Sequence, residues 1–170
     1  MFLIVMGVSG CGKSTIGKLL AEELGWPFFD GDDFHPPANV TKMSKGIPLD
    51  DEDRAGWLVA LADLIRGHLE KGRSGVLACS ALKQRYRDVL LVDPAQVKFI
   101  YLKGSYELIK ARMLARPGHY MKPGMLDSQF AALEEPDDAI TVEIAQSPAE
   151  IVSEVIRRAG LDALDPGNTK

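Results

Sequence analysis

The sequence predicts an α/β fold in which a five-stranded parallel sheet is covered by helices, and three observations carry that expectation. Short apolar runs alternate with amphipathic stretches along the chain, the pattern left by successive strand–helix–strand units. The apolar runs are nearly continuous, as strands buried on both faces require. A glycine-rich turn from Gly7 to Gly12 joins the first apolar run to the first amphipathic stretch, as where a strand feeds a helix N-terminus.

In chain order, the runs that read as strands are Phe2 to Met6, Pro27 to Asp30, Val76 to Cys79, Val97 to Leu102 and Ile140 to Ile144. After the first, Ile16, Leu19, Leu20 and Leu24 recur at helical spacing, and Gly25 and Pro27 supply stop signals. A longer helix follows Asp50, with an apolar face of Trp57, Leu58, Leu61, Ile65 and Leu69 and Gly72 just past its end. The last helix is announced by Ser147-Pro148-Ala149-Glu150, a capping-box pattern with proline in the first helical position; Ile151, Val152, Val155 and Ile156 follow, and Gly160 closes it. Two stretches, Gly31 to Pro48 and Arg116 to Pro136, fit neither period and read as long irregular loops, which in a compact domain are usually functional. Repeats and low-complexity tracts are absent, so the expectation is a single domain over 1–161 with a polar tail over 162–170.

Composition narrows the function classes. A chain of 170 residues fits one domain, and 46% hydrophobic with 26% charged residues is ordinary for a soluble globular protein. Acidic residues (24) outnumber basic ones (20), giving a formal net charge of -4 and no field that would gather nucleic acid or anionic membrane. The opening apolar run stops at Gly7, too short for a membrane span or a signal peptide. Cys11 and Cys79 read as free thiols in a reducing compartment, so a cytoplasmic location is expected.

Gly7-Val8-Ser9-Gly10-Cys11-Gly12-Lys13-Ser14 matches the phosphate-loop pattern G-x-x-x-x-G-K-[ST] in full and in context, between a strand and a helix. Its glycines let backbone N–H groups turn inward as an anion nest, Lys13 reaches the β- and γ-phosphates, and the Ser14 hydroxyl serves Mg²⁺. Thr15 continues the nucleotide-binding stretch, and Cys11 reads as a spacer whose backbone matters. ATP and Mg²⁺ are the implied cofactors.

A chain this size leaves little room for switch or motor machinery, so a small acceptor is expected. After the second strand come Asp30, Asp32, Asp33 and His35, at a strand's C-terminal end, where open α/β sheets bind ligands. The third strand ends Leu77-Ala78-Cys79-Ser80 without a carboxylate. Asp30 is therefore the expected outer-shell partner of Mg²⁺ and Asp32 the base for an acceptor hydroxyl. On an extended segment, residues two apart project to one side, which turns Asp33 away. A basic series follows: Arg54, Lys83, Arg87, Arg112 and Arg116, with His119 close behind. Arg112 and Arg116, four apart, would share a helix face leading into a lid from Arg116 to Gln129. Lys13, Asp32 and Arg116 are the expected catalytic groups, and Arg112 is an expected nucleotide contact.

Taken together, GVSGCGKS, DGDDFHP, the stretch from Lys42 to Leu58, CSALK with YRD from Cys79 to Asp88, FIYLKG, RPGHYM and SQF with LEEP resemble the gluconokinase family over about Met6 to Pro136. The resemblance implies ATP-dependent phosphorylation of D-gluconate to 6-phosphogluconate, a fold similar to nucleoside monophosphate kinases, and a homodimer. The layout is also similar to shikimate kinases, which by position implies that Asp32 meets the acceptor hydroxyl and Arg54 the substrate carboxylate; whether Asp32 or Asp33 faces the sugar acid stays open. The substrate-binding candidates are Asp32, His35, Arg54, Lys83, Arg87 and His119, since a carboxylate wants cations and a row of hydroxyls wants acceptors. Two other readings remain: a kinase for another small acceptor, such as shikimate, a nucleoside or its monophosphate, and a protein that holds ATP without transferring its phosphate.

Overall fold

A computed structural model describes residues 1–117 and 124–161. Its centre is β1 (Phe2–Met6), every residue of which is buried. Around it lie β3 (Gly75–Ala78) and β4 (Val97–Lys103), then β2 (Phe28–Asp30) outside β3 and β5 (Ile140–Glu143) outside β4, giving the order β2-β3-β1-β4-β5 with every pairing parallel. The five expected strands are all present, with ends displaced by a residue or two.

Side chains alternate across a strand, so β1 feeds two cores at once. Leu3 and Val5 join Ile16 and Leu20 of α1 (Lys13–Leu24), Ile109 and Met113 of α5 (Tyr106–Ala115), Leu126 of α6 (Met125–Ala132), and Val152 and Val155 of α7 (Pro148–Arg158). Phe2, Ile4 and Met6 join Trp57, Leu58, Leu61 and Ile65 of α3 (Asp51–Glu70) and Tyr86 and Leu90 of α4 (Gln84–Leu90). Burying each such aliphatic side chain contributes about 1.5–3 kcal/mol against leaving it in water.

The caps explain where helices begin. Ser147 and Glu150 form the expected capping box with Pro148 in the first turn of α7, and Asp50 with Asp53 makes a second box at α3, each satisfying otherwise orphaned N–H groups. Both stretches expected to be irregular contain helix among their described residues. Gly31–Phe34 is a 3₁₀ turn, α2 occupies Pro37–Ser44, and α6 follows Gly124. The expected tail, 162–170, lies outside the described residues. Among the described residues no helix is long and apolar enough to cross a membrane.

Candidate active site

The register puts Val5 beside Ala78 and Ala78 beside Asp30, so the loops after β1, β2 and β3 open onto the same C-terminal edge of the sheet. The phosphate loop follows β1 there. Its turn is closed by Cys11 N–H donating to the Val8 carbonyl at 3.2 Å. Gly12 caps α1 with φ at 100°, a left-handed conformation that glycine takes without strain, and among the described residues nothing lies within 4 Å of where its Cβ would stand. That open flank sits at the positive end of α1, a cradle suited to phosphate oxygens. Lys13 Nζ donates to the carbonyls of Gly7 and Val8, both at 3.1 Å, folding its charge over the loop. Val8 and Cys11 are buried, and burial pushes the Cys11 thiol above its ordinary pKa, so Cys11 is an inert filler behind the backbone. Thr15 is exposed beside Ser14. Ser9 is held from outside the loop: its N–H and its Oγ donate to Gln129 Oε1 of α6, at 3.2 and 3.3 Å.

Ser14 Oγ donates to Asp30 Oδ2 at 3.4 Å, which joins the end of β2 to the phosphate loop. The other oxygen of Asp30 accepts from Asp32 N–H at 3.0 Å and caps the 3₁₀ turn. The segment carrying Asp32 is thus a tight turn and not the extended run that the spacing argument assumed. Asp32 nonetheless stays within reach of the charges on Asp30, His35 and Lys13. Its residue surface is exposed, yet its carboxyl is recessed: loss of water, then the neighbouring Asp30 charge, raise its pKa, with His35 and Lys13 opposing and Asp33 adding a little. Asp33 is exposed and, among the described residues, makes no hydrogen bond or ion pair.

His35 stacks on Trp57 with ring centroids 4.3 Å apart and planes 14° off parallel. Its Nδ1 meets Asn39 Nδ2 at 3.3 Å, while buried Asn39 also donates to the Asp53 carbonyl at 2.8 Å. Burial lowers the His35 pKa; the Asp32 carboxylate opposes that and Arg54 adds to it, so the imidazole stands between the acidic and basic halves of the cleft. The basic half gathers around one phenol. Arg54, Lys83 and Arg85 lie 5.7, 5.7 and 5.6 Å from the centre of the Tyr86 ring. Arg54 Nη1 donates to the Tyr86 hydroxyl at 3.2 Å, and that hydroxyl donates to Asp51. Asp51 also pairs with Arg85 and, at 3.5 Å, with Lys83. The structure therefore brings Arg54 and Lys83, two of the candidate substrate residues, to one phenol. It adds Asp51, Arg85 and Tyr86, which had not been singled out although each lies within the motif stretches.

Other expected site residues stand elsewhere. Arg87 is buried, and its guanidinium donates to the carbonyls of Ala81, Leu82 and Glu134 at 2.8, 3.1 and 2.8 Å and to Gln84 Oε1 at 3.0 Å. Against the expectation of a substrate contact, it ties the β3–α4 loop to the segment after α6. Arg112 Nη2 donates to the Ile144 carbonyl at 2.7 Å, beside the loop into α7. Arg116 ends α5 with extended backbone, φ −78° and ψ 122°, because Pro117 disfavours a helical residue before it. Arg112 and Arg116 therefore do not share a helix face, which corrects that expectation. His119 and the middle of the expected lid lie outside the described residues; its end is α6, whose Leu126 is buried in the core.

A family model described as shikimate kinase matches residues 9–159. The chain is 46% identical over 162 residues to the thermosensitive gluconokinase of Escherichia coli, covering 93% of this chain and 86% of that one. It is 45% identical over 159 residues to the gluconokinase of Gluconobacter oxydans, covering 92% and 89%. Two crystal structures are alike in fold and sequence. A sugar kinase from Janibacter superposes with a TM-score of 0.85 at 43% identity over 94% of both chains. A gluconokinase from Sinorhizobium meliloti superposes with a TM-score of 0.83 at 43% identity over 91% of this chain and 89% of that one. A shikimate kinase from Aquifex aeolicus, at 20% identity and a TM-score of 0.57, shares the fold.

Proposed function

The chain belongs to the gluconokinase family of phosphate-loop kinases, and from that premise we propose that it transfers the γ-phosphoryl group of ATP to D-gluconate, giving 6-phosphogluconate and ADP. One observation carries the reading: the Ser14–Asp30 contact joins the phosphate loop to a cleft with recessed Asp32 on one side and the Arg54, Lys83 and Arg85 cluster on the other. Such a cleft suits an acceptor that has a hydroxyl at one end and a carboxylate at the other.

In this mechanism the phosphate loop, from Gly7 to Thr15, holds the triphosphate with its backbone N–H groups. Lys13 leaves the Gly7 and Val8 carbonyls for the phosphate oxygens. Ser14 and Asp30 are the residues that would hold Mg²⁺, directly and from the outer shell, and the ion supplies charge neutralisation when bound. Among the described residues no group of three metal-ligating side chains could hold an ion alone, in keeping with a cation that depends on phosphate and water for most of its ligands. Asp32 orients the acceptor hydroxyl and takes its proton as the hydroxyl oxygen bonds to phosphorus. The bridging β–γ oxygen keeps the electron pair of the breaking bond and leaves on ADP. Arg54 and Lys83 hold the carboxylate, His35 accepts from or donates to a sugar hydroxyl, Arg112 flanks the nucleotide, Arg116 acts on the transferring group, and His119 is a further substrate-binding residue. A cytoplasmic homodimer belongs to the same proposal; the two buried free cysteines suit a reducing compartment.

The test is coupled ADP release with purified protein offered gluconate, shikimate, AMP and nucleosides, with sedimentation for the oligomer. Turnover with gluconate alone is expected. A preference for shikimate, the name that the matching family model carries, would move the proposal to another acceptor on the same machinery.

A further inference from the structure

Gln129, a side chain of α6, reaches into the phosphate loop from outside it. Its Oε1 accepts both from Ser9 N–H, at 3.2 Å, and from Ser9 Oγ, at 3.3 Å. A backbone N–H can only donate, so the amide oxygen must face Ser9 and the –NH₂ must point away; this orientation follows from the bonding and not from a choice of how to place the amide. Among the described residues neither Nε2 proton has an acceptor. The side chain is half-buried, and α6, which carries it, is anchored by Leu126 in the core. Two neutral donors are thus held one amide away from Ser9 of the anion nest.

We propose that Gln129 is a phosphate-facing residue of this kinase: Ser9 fixes its amide so that Nε2 donates to the γ-phosphoryl group of ATP. The inference rests on the ATP-dependent reading above. A neutral amide suits this place. Lys13 and the helix end already supply positive charge to the phosphates, and a donor that carries no charge can stay with the γ-phosphoryl group without holding the product phosphate as tightly as a further cation would.

The test compares nucleotide affinities in Gln129→Glu and Gln129→Ala, by calorimetry with Mg²⁺-ATP and Mg²⁺-ADP in the absence of acceptor, next to the thermal midpoint of each variant. Glutamate keeps an acceptor for Ser9, loses both donors and adds a negative charge beside the γ-phosphate. Its Kd for ATP is expected to rise about tenfold or more while its Kd for ADP changes less than about threefold. Alanine is expected to show the same preference for ADP more weakly, with kcat falling by about tenfold or more. Equal weakening of ATP and ADP in both variants would mean that Gln129 only braces Ser9 and would overturn the proposal, as would unchanged affinities for both. Failure of the unaltered protein to bind ATP at all would instead strike the kinase reading on which the inference stands.

Discussion

Trp57 holds the acceptor turn in two ways at once: its indole Nε1 donates to the Gly31 carbonyl at 2.7 Å, and its ring lies 4.3 Å from the stacked imidazole of His35. Gly31 sits between Asp30 and Asp32, so one side chain of α3 sets the height of the carboxylates and the plane of the imidazole. Trp57→Phe keeps an aromatic face for His35 but strands a buried carbonyl. A loss of about 1–3 kcal/mol is expected in denaturant unfolding, with KM for gluconate rising more than KM for ATP.

Lys13→Ala separates folding from chemistry. Among the described residues, Lys13 Nζ bonds just the Gly7 and Val8 carbonyls of its own loop, so the thermal midpoint should move little. Turnover should fall about 10³-fold or more, because the lysine acts on the charge that develops as the phosphoryl group moves. Near-native turnover in this variant would remove the phosphate loop from the reaction.

The three aspartates should divide cleanly. Asp32→Asn is expected to cut kcat by about 10²- to 10⁴-fold with ATP affinity kept. Asp30→Asn should raise the Mg²⁺ needed for half-maximal activity and slightly lower stability, since Asp30 also caps the turn. Asp33→Asn should do little. A crippled Asp33→Asn beside an active Asp32→Asn would shift the base by one residue.

Asp32 also predicts two pH effects of fixed sign. As a base it must be ionised, and because its pKa is raised by lost water and by Asp30, the acid limb of kcat/KM should lie above the value of about 3.9 for a free aspartate. A carboxyl whose folded pKa exceeds its unfolded one favours the fold below the unfolded value, and that contribution is lost as pH rises through the folded value. Asp32→Asn should therefore melt higher than the parent at pH 7, and the difference should close as pH falls into the carboxylate range. A difference that stays constant with pH would mean that Asp32 is not strained in the fold.

Arg87→Ala tests a structural role. It leaves the carbonyls of Ala81, Leu82 and Glu134 without their donor in a buried setting, so a loss of about 3 kcal/mol or more is expected. If folded protein can be recovered, its KM for gluconate should stay near that of the parent. A KM effect without a stability effect would return Arg87 to the substrate.

The strands, α1, α3 and α7 were legible because each has an unbroken apolar run or a wide apolar face together with caps. The helices that escaped notice lack such faces. In α2, Asn39 is the one buried residue, and the segment begins with two prolines and carries Val40 and Thr41, so neither period nor propensity marks it. Helix α4 spans only Gln84–Leu90 and owes its position to buried Arg87, a residue type that reads as surface. Similarly, the phosphate loop and Asp30 could be assigned from spacing because motif and strand end fix them. Asp51, Arg85 and Gln129 could not, since their meaning depends on which loops the parallel crossovers bring to one edge of the sheet.

The position of β1 also bears on how the protein is made. Its first residue pairs with Gly75 on one side and Val97 on the other, and it has no strand partner nearer in the chain. On the ribosome, the Phe2–Met6 segment is thus made well before either of the strands that it pairs with. It remains an exposed apolar strand until β3 and β4 have emerged, a feature of high contact order that slows folding and invites aggregation. The phosphate loop hangs from the end of that strand, so a nascent chain stopped before Val97 lacks one of the two neighbours that hold the loop in place.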